Sequence, residues 1–148
     1  MQKRIYGIDT GGYDPQDILK MADWELFLEY YSLTLLAWRI SHNAYKNNSR
    51  GQISGKGYSS IANSLEEMQY AIEYLLYIIS RRNGIAVNKP ASGQHIKPDR
   101  EAFMKWYRYY DNHFMHQMSD STWKDFERKR KAGADVSKYL PKGNWRTS

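Results

Sequence analysis

The most regular run of hydrophobic and polar positions lies between Ile61 and Ile79. Ile61, Leu65, Met68, Ile72, Leu75 and Ile79 are separated by steps of 4, 3, 4, 3 and 4. That alternation holds one apolar side chain per turn on a single face, the seam of an antiparallel bundle or a short coiled coil. Ser64 and Glu67 have the spacing of a capping box for a helix that begins late. Arg81 and Arg82 fall in the last turn, where cations complement the helix dipole, and Asn83-Gly84 supplies a left-handed stop. The seam predicts a long helix that pairs either within the chain or across a homodimer.

Upstream, Asp14 is placed to cap a helix, Pro15 suits its first position and Asp17 makes the first turn acidic. Apolar residues recur near helical period at Ile18, Met21, Phe27, Tyr31, Leu35, Trp38 and Ile40. A break at Ala22-Asp23 divides this run, with Asp23 capping the second part. Lys46 to Gly57 (KNNSRGQISGKG) reads as a flexible basic loop, and residues 85–97, with Pro90 and Gly93, as another. Pro98-Asp99 opens a third helix with Phe103, Tyr107, Tyr110, Phe114 and Met118 on its apolar face. On that reading Lys105, Trp106 and Tyr109 face away from the core. Ser119 to Thr122 interrupts the helix, and a short basic helix, Trp123 to Lys131, runs to Gly133.

Residues 1–13 read as an extended arm holding one strand-like run, Arg4 to Ile8, with no second strand to pair with. Residues 134–148 read as a tail pinned by Tyr139, Leu140 and Trp145. Together the elements predict a single all-α domain over 1–148. It is a compact antiparallel helical bundle of three long helices and one short one, with the arm and tail outside it.

The chain of 148 residues is long enough to bury a core without crosslinks, and its five Trp argue against global disorder. It has no Cys, which excludes disulfides, thiolate zinc sites and a cysteine nucleophile, and agrees with a reducing compartment. Residues 1–14 contain no apolar signal region. The most apolar stretch, Tyr70 to Ile79, is too short to span a bilayer and contains Glu73. A cytoplasmic protein without membrane association is expected.

Charge adds a functional direction. Residues 1–74 hold 7 Lys/Arg against 9 Asp/Glu, whereas residues 75–148 hold 15 against 7. Lys105, Arg108, Lys124, Arg128, Lys129, Arg130, Lys131, Lys138, Lys142 and Arg146 are interleaved with ten aromatic residues between Phe103 and Trp145. Cations neutralise phosphates and release counterions, while exposed rings stack on bases or fit protein pockets. The expected partner is nucleic acid or a nucleoprotein complex, met by these cations together with Trp106, Tyr109, Trp123 and Trp145.

Three motifs brush known chemistry. Ile8-Asp9-Thr10-Gly11-Gly12 resembles the first-strand phosphate motif of sugar kinases and actin-like ATPases, a fold that needs more strands and far more chain. Gly51 to Gly57 (GQISGKG) approaches the P-loop pattern, but its glycine spacing is one short and Gly57 replaces the magnesium-holding Ser/Thr. Arg108 to His113 (RYYDNH) resembles the Arg–four residues–His motif of HEPN ribonucleases, small helical bundles that often dimerise. The resemblance implies Arg108 steadying phosphate charge and His113 serving in acid–base catalysis at a dimer cleft, with no metal. The chain departs from that pattern at Tyr109, where a polar residue is usual.

His113 and His116, three apart on one helical face, make half a metal site, with Asp111, Asp120, His42 or His95 as the remaining candidates. They read as two ordinary histidines, and no cofactor is implied. The leading expectation is therefore a non-enzymatic binding protein. One alternative is a small inhibitor, adaptor or assembly factor of phage or mobile-element type, docking on a larger protein with an acidic or groove-like surface. The other is the HEPN-like ribonuclease.

Overall fold

Asp14 accepts the Gln16 N–H at 3.0 Å and so starts the first helix, α1 (Pro15–Lys20). The computed structural model describes residues 4–5, 8–9, 13–49, 55–88 and 95–148. Its fold is all-α apart from one minimal strand pair. Two units are distinguished, residues 1–98 and residues 99–148.

In the first unit, β1 (Arg4–Ile5) and β2 (Ile8–Asp9) pair antiparallel, with Arg4 opposite Asp9 and Ile5 opposite Ile8. The Arg4–Ile8 run is thus two short strands that satisfy each other, not one extended segment, and β2 lies against a long helix of this unit, α3 (Gly55–Arg82). α1 ends at Met21, whose backbone is extended, and α2 (Asp23–Ser49) follows. Its cap differs from the expected Asp23. The Glu25 carboxylate reaches back to accept the Ala22 N–H at 3.0 Å, the reciprocal half of a capping box.

α2 continues to Ser49 and α3 begins at Gly55, so both helices extend into the segment read as a loop. The motifs at 8–12 and 51–57 fall largely outside the described residues, and Gly55 to Gly57 are helical. Ser64 lies well inside α3, so its capping role does not arise.

α2 and α3 pack as an antiparallel hairpin. The start of α2 is tied to the end of α3. Arg82 donates to the Met21 carbonyl at 2.5 Å, and Asn83 bridges Asp23 at 3.5 Å and the Ile79 carbonyl at 2.9 Å. α3 stops as the sequence predicts. Gly84 takes φ +66°, its N–H meets the Arg81 carbonyl, and the buried Ile85 returns its N–H to Ser80 at 2.8 Å. That is the Schellman arrangement, which satisfies two otherwise orphaned carbonyls.

Burial is uneven along this hairpin. Ile72, Tyr74, Leu75, Tyr77, Ile78 and Ile79 of α3 are buried with Ile18 of α1 and Leu26, Phe27 and Leu28 of α2. Tyr13 stands over this end, donating to Glu29 at 3.0 Å and lying 6.4 Å from the Tyr74 ring. Burial and the neighbouring Glu29 push the Tyr13 hydroxyl far above its ordinary range. Toward the other end Ile61, Leu65 and Met68 are only half-buried, and Trp38, read as a core residue, is 62% exposed. Beyond α3, Glu73 accepts the Ile96 N–H and pairs with His95, each at 3.0 Å, fixing the segment that precedes Pro98.

In the second unit, Asp99 caps α4 (Arg100–Asp111) by accepting the Ala102 N–H at 3.1 Å. The helix widens into a π-helical segment, Asn112–Gln117, before Ser119 caps α5 (Asp120–Lys131) through the Thr122 N–H at 3.2 Å. Gly133, φ +75°, closes α5 with a second Schellman pair, Gly133 N–H to Arg130 and Ala134 N–H to Lys129. A 3₁₀ turn, Ser137–Tyr139, leads into the tail. The core of this unit is aromatic. Phe103, Trp106, Phe114, Phe126, Tyr139 and Trp145 are buried, and Phe114, Trp123, Phe126 and Tyr139 form a chain of rings 5.4–6.3 Å apart.

Candidate polyanion-binding site

The cations of residues 99–148 and the rings between them separate into surface and interior. Trp106, expected to face outward, is wholly inaccessible, packed 5.8 Å from Phe103 and 5.1 Å from Tyr110 between ring centroids. Trp145 is buried as well. The arginine beside it, Arg146, lays its guanidinium 4.3 Å from the Trp145 ring, and the Arg146 carbonyl accepts from Lys105 at 2.7 Å. Tyr109 is half-buried, and a Cβ on Gly143 would come within 3.3 Å of its hydroxyl, so the tail crosses directly over it. That hydroxyl is buried and makes no hydrogen bond among the described residues. Trp123 is half-buried against Phe114 and Phe126. As outward binding residues, Trp106 and Trp145 are therefore corrected to core. Trp106 falls with Phe103 and Tyr110 on the covered arc of α4, opposite the exposed Glu101, Lys105 and Arg108.

The cations stay at the surface. Lys105, Arg108, Lys124, Arg128, Arg130, Lys131, Lys138, Lys142 and Arg146 are exposed, and Lys129 is half-buried. Their densest group is the last turn of α5, where Arg128, Lys129, Arg130 and Lys131 are consecutive beside the helix carbonyl end. Tyr139 organises it. The phenol donates to Asp125 and accepts from Lys129 Nζ at 3.0 Å, while Lys138 Nζ sits 5.1 Å from the same ring. Arg128 donates to the other Asp125 oxygen, and Arg130 pairs with Glu127 at 3.0 Å.

The electrostatics follow from this wiring. The Tyr139 hydroxyl, then Arg128 and Lys129, hold Asp125 down to about 2. The same hydroxyl, with Asp125, raises Lys129. Two carboxylates thus answer three of the four cations in the turn, through exposed i,i+3 and i,i+4 pairs that water and salt loosen easily. Neither Asp125 nor Tyr139 was singled out as an organiser from sequence. The spacing Asp125–Lys129, four apart on a helix, was the available signal.

The residues of the ribonuclease-like motif lie on either side of the helix-to-π transition. Arg108 is exposed on α4, and His113 Nε2 lies 2.5 Å from the Tyr139 carbonyl with its ring edge-on to Phe114 at 4.9 Å. His116 pairs with Asp111 at 3.0 Å, His42 stacks on Trp38 and His95 is held by Glu73. Among the described residues, no group of three His, Asp or Glu side chains is placed to hold a metal ion. No described helix is long and apolar enough to cross a membrane. No protein-family model, curated protein or solved structure matches this chain.

Proposed function

We propose that the chain is a non-enzymatic binding protein that engages nucleic acid, or a nucleoprotein complex, through phosphate contacts made by residues 99–148. One observation carries the reading: the last turn of α5 gathers Arg128 to Lys131, with Lys138 beside Lys129 on Tyr139. Trp106 and Trp145, two of the four rings expected to meet bases, are in the core, so recognition rests mainly on charge and backbone geometry. Asp125 and Tyr139 hold the cations in place, and incoming phosphates displace weak surface pairs rather than break buried ones.

Full engagement of the four-cation turn gives a log–log salt slope of about −3 to −4 on duplex DNA. Replacing Arg128, Lys129, Arg130 and Lys131 with Ala should flatten the slope by nearly that amount while preserving a helix. The measurement is fluorescence anisotropy with labelled single- and double-stranded DNA and RNA across a salt series. The labelled RNA should also remain intact, since no cleavage is assigned to Arg108 and His113. Absence of binding to every polymer at low salt, or affinity indifferent to salt, refutes the reading.

A further inference from the structure

α2 carries two apolar stripes where a helix packed on one side needs only one. Leu26, Tyr30, Leu33, Ala37, Ile40 and Ala44 step by 4, 3, 4, 3 and 4, and the stripe is buried at both ends, at Leu26 and Ala44. Trp24, Leu28, Tyr31, Leu35, Trp38 and His42 repeat the same steps roughly 160° around the helix, at 100° per residue. Of this second stripe Leu28 is buried, but Tyr31 and Leu35 are half-exposed and Trp38 and His42 are open. The Trp38 ring lies flat on His42, 5.0 Å away with the planes 4° apart, and Leu35, one turn before it on the same stripe, is half-exposed. A rigid aromatic face with an aliphatic neighbour is a common anchor of protein interfaces.

The charges flanking this stripe say what covers it. Glu25, Ser32, Arg39 and Lys46 recur every seven residues along one edge, acid at the start and bases at the end. Such a row is complementary to itself when reversed. We propose that the second stripe of α2 docks against the same stripe of a second copy of the chain, antiparallel, across a two-fold axis near Leu35–Trp38. Leu35 of each copy meets Trp38 of the other, and Tyr31 meets His42. At the ends Glu25 faces Lys46, and Ser32 faces Arg39. A parallel arrangement would set base against base and acid against acid, so the row selects the antiparallel one. The interface involves neither the α5 cations nor the proposed polyanion site.

The test is the mass of the full chain by light scattering and sedimentation over a concentration series. Two copies of the 17.5 kDa chain are expected at micromolar concentration. Trp38→Glu, at a position already in water, should leave the circular dichroism unchanged and raise the dimer Kd about 30-fold or more. Arg39→Glu with Lys46→Glu should raise it about tenfold, and adding Ser32→Lys, at the exposed position that faces residue 39 of the other copy, should recover part of that loss. A wild-type chain that stays monomeric at about 100 μM overturns the proposal and leaves the stripe to a different partner. A dimer indifferent to Trp38→Glu overturns it too, because another face then holds the copies together.

Discussion

Trp106 is the residue whose two readings differ most in consequence. As an exposed anchor, its loss weakens binding and leaves the fold intact. As the centre of the second unit's core, its loss removes the fold itself. The ring is fully inaccessible and touches Phe103 and Tyr110, so Trp106→Ala deletes the side chain and leaves a cavity. Substitutions of this kind cost about 3–5 kcal/mol, a figure that already contains the lost ring–ring contacts. Residues 99–148 number about fifty, and stabilities near 0.05–0.15 kcal/mol per residue give the unit roughly 2.5–7.5 kcal/mol in all. The substitution therefore consumes most of that stability. Thermal unfolding followed by near-ultraviolet circular dichroism, with hydrogen exchange resolved to residues 99–148, should show fast exchange throughout that segment. Trp106→Phe should recover much of the protection. Trp38→Ala, measured at concentrations below the Kd of the proposed dimer, should change stability by no more than about 0.5 kcal/mol. A Trp106→Ala chain that keeps its exchange protection and its melting temperature within about 2 °C, yet loses partner binding, would refute the placement.

Two further outcomes bear on the same unit. Tyr109→Phe removes a buried hydroxyl that has no hydrogen bond among the described residues, so stability measured in urea should stay level or rise by up to about 1 kcal/mol; a loss above that size would show the hydroxyl to be satisfied. Asp125 is held at about 2, against an ordinary value of 3.8, so it binds protons less readily folded than unfolded. Its contribution is fully present above about pH 4 and fades as pH falls toward 2. The stability gap between wild type and Asp125→Asn should accordingly be flat from pH 7 to about 5 and narrow below 4. A gap unchanged down to pH 2 would mean that the Tyr139 and Arg128 contacts do not act on the charge.

Helix ends were the most legible part of this sequence, because their determinants are local. Asp14 with Pro15, Asn83-Gly84, Asp99 and Gly133 each mark a terminus found in the structure, and each works through a bond to a residue a few positions away, whereas α5 starts at Asp120, three residues before the expected Trp123. What lay between the ends was harder. The glycines near 51–57 read as loop, yet Gly55 and Gly57 are in α3, where the packing of a long hairpin outweighs the roughly 1 kcal/mol that each helical Gly costs. The widening of α4 at Asn112 also has no sequence signal, since no Pro or Gly marks it.

The site was legible in its charges and illegible in its rings, for a reason that extends to α2. Cations announce their position because burying one without a partner costs several kcal/mol, so Arg128 to Lys131 had to lie at the surface. Aromatic residues carry no such constraint. Phe103, Trp106, Tyr107, Tyr109 and Tyr110 contain two overlapping helical stripes, and periodicity alone cannot choose between them. In α4 the choice fell on Trp106, which lies with Phe103 on the side opposite the exposed Glu101, Lys105 and Arg108. α2 poses the same ambiguity, with stripes through Leu26 and through Trp38, and there one of them remains open in the single chain. A second stripe is costly to leave in water over much of its length, and nothing in helix formation requires residues at that spacing. The open part of α2 is thus better explained by a surface that is covered in the working form of the protein than by chance. Its charge row, reversed in sign from one end to the other, fits a second copy.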